Sequence, residues 1–278
     1  MTAPDWVLRF LRCPACHECA VHVVTGRLTC GGCGRSFATD PVPILLADAP
    51  PDIASCAASS INGVRQAPWI GDAFIDELPE GATCLSVGEG HGDIALRIGS
   101  RRPDLRVLAI DLSEARIRRA QELQERLGID NVWFAVADIA NLPFVDHAFP
   151  AGYARGVLHI VRDPESALCE LRRVLQQRLL VDQLANRPFF AIWFWLLQQY
   201  EIVRACVQHR SADRRIWQNV TDTLAGGGTY CTLHGYRRWF ARARKTRLRA
   251  NCLFIWETER HRPILGWIGY AGGIDVWF

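Results

Sequence analysis

Four cysteines near the N-terminus have the spacing of a metal site. Cys13 and Cys16 form one Cys-x2-Cys pair, and Cys30 and Cys33 form a second after a spacer of thirteen residues. A tetrahedral zinc ion needs four ligands, and each pair can bring two thiolates to one ion. Because protein would fill all four positions, we expect a structural rather than a catalytic zinc ion.

The spacer between the two pairs predicts a β-hairpin, with strands over 20–24 and 27–29 around a Thr25-Gly26 turn. A segment this short buries too little core to fold alone, so the bound metal would stabilise its fold. Four buried free cysteines are the alternative interpretation. His17 and Cys19 lie close enough in the chain to compete as ligands.

A second group of residues has the spacing of a nucleoside site. A strand is predicted over 83–87, then the loop Gly88-Glu89-Gly90-His91-Gly92, a helix over 93–100 and a strand over 106–110 that ends at Asp111. Glycines let the backbone approach a nucleoside, and a carboxylate after the next strand can accept both ribose hydroxyl protons. The third glycine comes too early for the G-x-G-x-x-G pattern of NAD enzymes. A turn that only makes room for helix packing is the alternative.

Residues 80–185 resemble the class I S-adenosylmethionine-dependent methyltransferases, in the subgroup that includes ubiquinone/menaquinone-type enzymes. Four motifs carry the resemblance in order: CLSVGEGHG, VLAIDLSEARIRRAQ, VADIANLPFVDHAF and GVLHIVRDPESALCELRRVL. The resemblance implies an α/β fold: a Rossmann-like, mostly parallel seven-stranded methyltransferase sheet with helices on both faces. It also implies S-adenosylmethionine as the cofactor and methyl transfer as the reaction.

The same motifs imply where the cofactor lies. The glycine loop would line its methionine and ribose parts, the residues after the second strand would hold the ribose and adenine, and those after the third strand would hold the adenine. The cofactor-binding residues implied in this way are Gly88, Glu89, Gly90, Gly92, Asp111, Leu112, Asp138 and Ile139.

Two further residues follow from the fourth motif. His159 comes just after the fourth strand, where the resemblance makes it the candidate general base; a packing or capping histidine is the alternative. Arg155 stands where the family usually has a small residue, and we group it with the cofactor-binding residues because it could meet the cofactor carboxylate or an anionic substrate. A surface arginine is the alternative. Aligning acceptor, methyl group and sulfur supplies much of the rate, so a base is needed only for an acceptor that must lose a proton.

Three positions depart from the family pattern. Ser86 stands where the family usually has an acidic residue that helps to hold the cofactor's amino group. Pro150 replaces an expected aspartate, and the "PGG" turn expected after Leu175 is missing. The first departure bears on cofactor affinity, and the other two predict a reshaped sheet edge.

Residues 11–46 resemble the Trm112-like zinc ribbons. The matching segments are LRCPACHE, GRLTCGGCGRSF and PVPILL, the last of which corresponds to a strand. Similar ribbons are fused to methyltransferases, including some that act on ribosomal RNA. We therefore expect a zinc ribbon over 1–47, a linker over 48–60 and a methyltransferase domain over 61–278 with an aromatic lid insertion around 187–230.

The remaining sequence gives weaker indications of the acceptor. The run 187–197 is rich in aromatic residues, which suits a pocket for a flat or lipidic substrate or ordinary core packing. The segment 237–249 predicts a basic helix that could bind RNA phosphate or simply face solvent, and 248–257 and 267–277 predict two closing strands. The net charge of +3 is too small to indicate nucleic acid by itself.

We therefore expect a methyltransferase acting on a small molecule. An RNA base methyltransferase is the alternative, and a non-catalytic scaffold that keeps the fold is a third interpretation. The eleven cysteines, odd in number and clustered at one end, favour metal binding in a reducing compartment over disulfides. With no signal peptide or membrane span in the sequence, we expect a cytoplasmic protein.

Overall fold

The computed structural model describes residues 3–18, 21–48, 70–158, 161, 163–185, 240–252, 255–258 and 271–278. The helices in these ranges are α1 (Asp5–Leu8), α2 (Ile70–Asp76), α3 (Asp93–Arg101), α4 (Glu114–Leu127) and α5 (Pro164–Val174). No helix in these ranges is long and apolar enough to cross a membrane. Most of the predicted linker, the aromatic run 187–197, the rest of the lid insertion to 230 and His159 lie outside the described residues.

The strands form two sheets. A small antiparallel sheet contains β1 (Val21–Val24), β2 (Arg27–Cys30) and β3 (Ser36–Phe37) in that order. The large sheet contains β4 (Thr83–Val87), β5 (Arg106–Asp111), β6 (Val132–Val136), β7 (Phe149–Arg155), β8 (Leu175–Ala185), β9 (Lys245–Cys252), β10 (Ile255–Thr258) and β11 (Ala271–Trp277).

The large sheet has the predicted Rossmann-like order. Its strands run β10-β9-β11-β8-β7-β4-β5-β6, and the five strands from β8 to β6 are parallel. β11 is antiparallel to β8 and to β9, and β10 pairs antiparallel with β9 as an additional edge strand. Seven of the strands thus form the expected sheet, and the eighth extends its edge.

Two faces of this sheet are covered by different elements. β4 and β6 are buried along their whole length, as expected for parallel strands packed on both sides. Side chains of α2, α3 and α4 pack on one face, among them Phe74, Leu96 and Ala120. On the other face, Leu171 of α5 shares a hydrophobic cluster with Leu11 of the N-terminal segment.

Local sequence explains several element boundaries. Asp163 caps α5, since its Oδ1 accepts hydrogen bonds from the backbone N–H groups of Glu165 and Ser166, and proline suits the first helical position. No turn separates this helix from the next strand, because β8 begins at Leu175, directly after Val174.

The prediction of a basic helix over 237–249 is wrong for its second half. Residues 245–249 belong to β9, which pairs with β11 along its length, so β11 supplies the backbone hydrogen bonds. Pairing of this kind overrides local helix propensity. Lys245 Nζ lies 4.8 Å from the ring centre of Trp277.

The N-terminal segment is joined to the large sheet by backbone hydrogen bonds. Leu45 N donates to Val136 O and Val136 N donates to Pro43 O, both at 2.8 Å, which places 43–45 beside β6. Arg12 N also donates to Pro143 O at 2.9 Å. The predicted strand in PVPILL is thus a single parallel bridge that adds to the edge of the large sheet.

Candidate cofactor site and cysteine cluster

The loop between β4 and α3 has a backbone that suits glycine. Gly88 and Gly92 have φ angles of 73° and 82°, in the left-handed region. A Cβ atom on Gly88 would lie 2.5 Å from Cβ of Val157, and one on Gly92 would lie 2.7 Å from Cβ of Ala120. The loop therefore packs against its neighbours at distances that leave no room for a side chain at either position.

Asp111 fixes this loop to the end of β5. Its Oδ2 accepts a hydrogen bond from Gly90 N at 2.8 Å, and its Oδ1 accepts one from Ser113 N at 2.9 Å. The guanidinium of Arg116 lies 3.9 Å from Oδ1. A carboxylate has about four acceptor positions, so this one can still accept hydroxyl protons while it holds the loop.

Glu89 places a second carboxylate within the loop, and it is only 7% exposed. Ser86 Oγ donates to Glu89 Oε1, and Ala95 N of the first turn of α3 donates to Oε2 at 3.0 Å. Burial, together with the charges of Asp111 and Asp93, raises the pKa of Glu89 to about 7 against the lowering effect of these two hydrogen bonds. Ser86 thus lacks the carboxylate usual at its position, but Glu89, three residues further along the chain, places one next to it.

The loop after β6 lies beside Asp111. Ala137 N donates to Asp111 O at 3.1 Å, and Asp138 Oδ1 accepts from Ala140 N at 2.9 Å. Ile139 is buried and Leu112 is half-buried. The residues that sequence assigned to the ribose and adenine therefore meet at the carboxyl edge of adjacent parallel strands, where open α/β sheets bind ligands.

Arg155 ends β7 at the same edge and is half-buried. Its neighbour Ala154 pairs with Val87 of β4, so the end of β7 lies next to the start of the glycine loop. The structure therefore brings Arg155 to the edge that carries the other candidates. His159 lies outside the described residues, and its assignment as a base stays a prediction.

Asn141, which was not predicted from the sequence, connects the cysteine cluster to the loop after β6. Asn141 Nδ2 donates to Pro14 O at 3.0 Å, and Asn141 N donates to Asp138 O at 3.1 Å. Pro14 lies between Cys13 and Cys16 and is 127 positions away from Asn141. No local pattern could reveal this link between the cysteine cluster and the Asp138 loop.

The four predicted cysteines lie close together. Their Sγ atoms are within 4.8 Å of one another, with 3.8 Å between Cys13 and Cys33 and 3.5 Å between Cys16 and Cys30. A tetrahedron with Zn–S bonds of about 2.3 Å has S···S edges of about 3.8 Å, so the cluster has the size that zinc requires. Backbone N–H groups, first that of Cys33 and then that of Gly32, lower the pKa of Cys30, whereas burial and the neighbouring thiols raise the pKa of Cys16.

Comparison with known proteins finds matches over the segment that contains the glycine loop and Asp111. Residues 84–178 match a family described as "Methyltransferase domain". A ubiquinone/menaquinone biosynthesis C-methyltransferase from Paracoccus denitrificans is 28% identical over 52% of this chain and 60% of its own length. A tRNA (guanine-N(7)-)-methyltransferase from a Synechococcus species is 33% identical over 35% of this chain and 41% of its own length.

The chain therefore spans about two fifths to three fifths of the length of these two relatives. A solved structure of an S-adenosylmethionine-dependent methyltransferase from Methanosarcina mazei is 17% identical, with a TM-score of 0.49 and coverage of 74% of this chain and 96% of that one. Residues 84–178 are thus similar in sequence to a methyltransferase domain.

Proposed function

We propose that this protein transfers a methyl group from S-adenosylmethionine to a small-molecule acceptor. The observation that carries the proposal is the Asp111 carboxylate, which Gly90 N holds against a glycine loop at the carboxyl edge of the parallel strands. This arrangement lies within the segment that matches the methyltransferase domain. The bound cofactor would supply the activated methyl group on its sulfonium.

The protein's own part in this proposal is binding and alignment. Asp111 would accept the ribose hydroxyl protons, and Asp138 would accept from the adenine amino group beside Ile139 and Leu112. The backbone of 88–92 would lie against the ribose and methionine, and Arg155 would face the cofactor carboxylate or an anionic acceptor. Holding the reacting atoms in line lowers the barrier without a proton transfer, so His159 would matter only for an acceptor that must be deprotonated.

A small acceptor is favoured by the charge distribution. The net charge is +3, and the basic segment is partly a strand, with Lys245 against Trp277. RNA is the second candidate because one relative is named as a tRNA methyltransferase and because Arg242 and Arg244 are exposed. A non-catalytic scaffold is less favoured, since Glu89 supplies a carboxylate beside Ser86.

We further propose that the cysteine cluster holds one structural zinc ion. Four thiols at tetrahedral distances leave no ligand position for a substrate, so the metal would fix the fold of the N-terminal segment. The Asn141–Pro14 hydrogen bond would then make this segment a stabilising lobe for the Asp138 loop. A cluster of free thiols suits a reducing compartment, which is why we place the protein in the cytoplasm.

The decisive experiment supplies labelled S-adenosylmethionine with a hydrophobic metabolite extract in one reaction and with total RNA in another. We expect label in an extract component and none in RNA. The matched variant replaces Arg242, Arg244 and Arg247 by glutamine and should keep its transfer to the small acceptor. Labelled RNA, with binding that weakens steeply as salt rises, would instead establish the RNA function. Absence of cofactor binding at millimolar concentration would support the scaffold.

A further inference from the structure

Glu89 is a buried carboxylate whose described surroundings are acidic. It forms no ion pair within the described part of the chain, and its two hydrogen bonds come from the neutral donors Ser86 Oγ and Ala95 N. The charged groups that affect it are Asp111 at the end of β5 and Asp93 at the start of α3, and both disfavour its ionised form. A carboxylate in this position must either keep its proton or meet a cation.

The loop is open at Gly90, the residue next to Glu89. A Cβ atom built on Gly90, the residue after Glu89, would meet nothing within 4 Å, whereas the flanking Gly88 and Gly92 are tightly packed. The two hydrogen bonds of Glu89 fix its orientation and use one acceptor position on each oxygen, so further positions stay available.

We propose that the Glu89 carboxylate is the counter-ion of the α-ammonium group of the bound S-adenosylmethionine, and that cofactor binding releases a proton from Glu89. This inference rests on the proposed function, since it assumes an adenosyl cofactor in this loop. The ammonium N–H donates to the carboxylate, and the proton that leaves the carboxyl O–H goes to solvent. Ser86 stands where the family usually has an acidic residue, and its hydroxyl orients the Glu89 carboxylate.

The proposal has a defined pH dependence. With no cation present the pKa of Glu89 is raised to about 7, so the carboxyl is increasingly protonated as pH falls below neutrality. A bound ammonium favours the ionised form. Cofactor affinity is therefore highest above pH ~7 and falls as pH decreases, by at most about tenfold per pH unit for one linked proton.

Other titratable groups near the loop can be distinguished from Glu89. Burial raises the pKa of Cys84 on β4 to about 12, so this thiol stays neutral over the range of interest. Asp111 and Asp93 face Glu89 from β5 and α3, and Arg116 of α4 lies against Asp111. His91, in the same loop, has its pKa lowered by burial, so it needs its own control.

The experiment compares two ligands by calorimetry from about pH 6 to about pH 8. S-adenosylhomocysteine keeps the α-ammonium group, and 5′-methylthioadenosine lacks the amino-acid tail. Glu89→Gln keeps the size of the side chain and can hydrogen-bond to both Ser86 and Ala95. We expect this variant to bind S-adenosylhomocysteine at least tenfold more weakly at the upper pH, without the wild-type pH dependence and without proton release. Its affinity for 5′-methylthioadenosine should be unchanged, and His91→Gln should keep the wild-type pH dependence.

The outcomes separate this inference from the proposed function. If the wild-type protein binds neither ligand, the proposed function fails and the inference falls with it. If the wild-type protein binds both, but Glu89→Gln keeps the affinity and pH dependence for S-adenosylhomocysteine, only the inference is wrong. Equal losses for both ligands would show a purely structural role and would also overturn it, as would loss of the pH dependence in His91→Gln.

Discussion

Replacement of Asp111 by asparagine tests the cofactor site most directly. The change keeps the size of the side chain, but it removes the charge and replaces one oxygen by an NH2 group that cannot accept a hydrogen bond. In the wild-type protein the Asp111 carboxylate accepts hydrogen bonds from Gly90 N and Ser113 N, and we propose that it also accepts them from the ribose hydroxyls. Hydrogen bonds to a charged group contribute about 1.5–3 kcal/mol, so we expect roughly a ten- to hundredfold loss of cofactor affinity.

Calorimetry with S-adenosylhomocysteine measures this loss, and Asp104→Asn is the matched control. Asp104 Oδ2 also accepts from a backbone N–H, that of Gly81 at 3.2 Å, and its carboxylate pairs with Arg102. It precedes β5 at the amino edge of the sheet, so its replacement should leave cofactor affinity unchanged. An unchanged dissociation constant in Asp111→Asn, with the variant folded, would mean that the cofactor binds elsewhere.

Four further substitutions test other parts of the molecule. Metal analysis of the wild-type protein should find one zinc equivalent, and Cys13→Ser and Cys30→Ser should each lose it; full retention in both variants would refute the metal site. Gly88→Ala should lower the melting temperature and weaken cofactor binding. A residue with a Cβ costs about 1–2 kcal/mol in the left-handed conformation, and the close contact of this Cβ with Val157 costs about as much again. An unchanged melting temperature and an unchanged dissociation constant would contradict this. Asp275→Ala should lower the free energy of unfolding by about 1.5–3 kcal/mol in urea titrations, because the buried Arg178 loses its bidentate partner and keeps only the carboxylate of the partly exposed Glu77. A loss well under 1 kcal/mol would show that the pair is not a major contributor.

The sequence predicted the parts of this protein that depend on neighbouring residues. The hairpin around Thr25-Gly26 is present, with φ angles of 47° and 78° at the two positions. The predicted strand 83–87 and the strand ending at Asp111 are present as well, with a helix between them. Short spacings determine these features because turn residues, helix caps and alternating apolar residues act over a few positions.

Tertiary structure decided the features that join distant residues. It placed the N-terminal segment beside β6, linked Asn141 to Pro14 and paired Arg178 with Asp275 across 97 positions. It also made 245–247, which precede the predicted closing strand, part of β9, because β11 pairs with them. In each case the side chain or backbone group has no distinctive local pattern, and its partner is set by how the sheet and the N-terminal segment pack together.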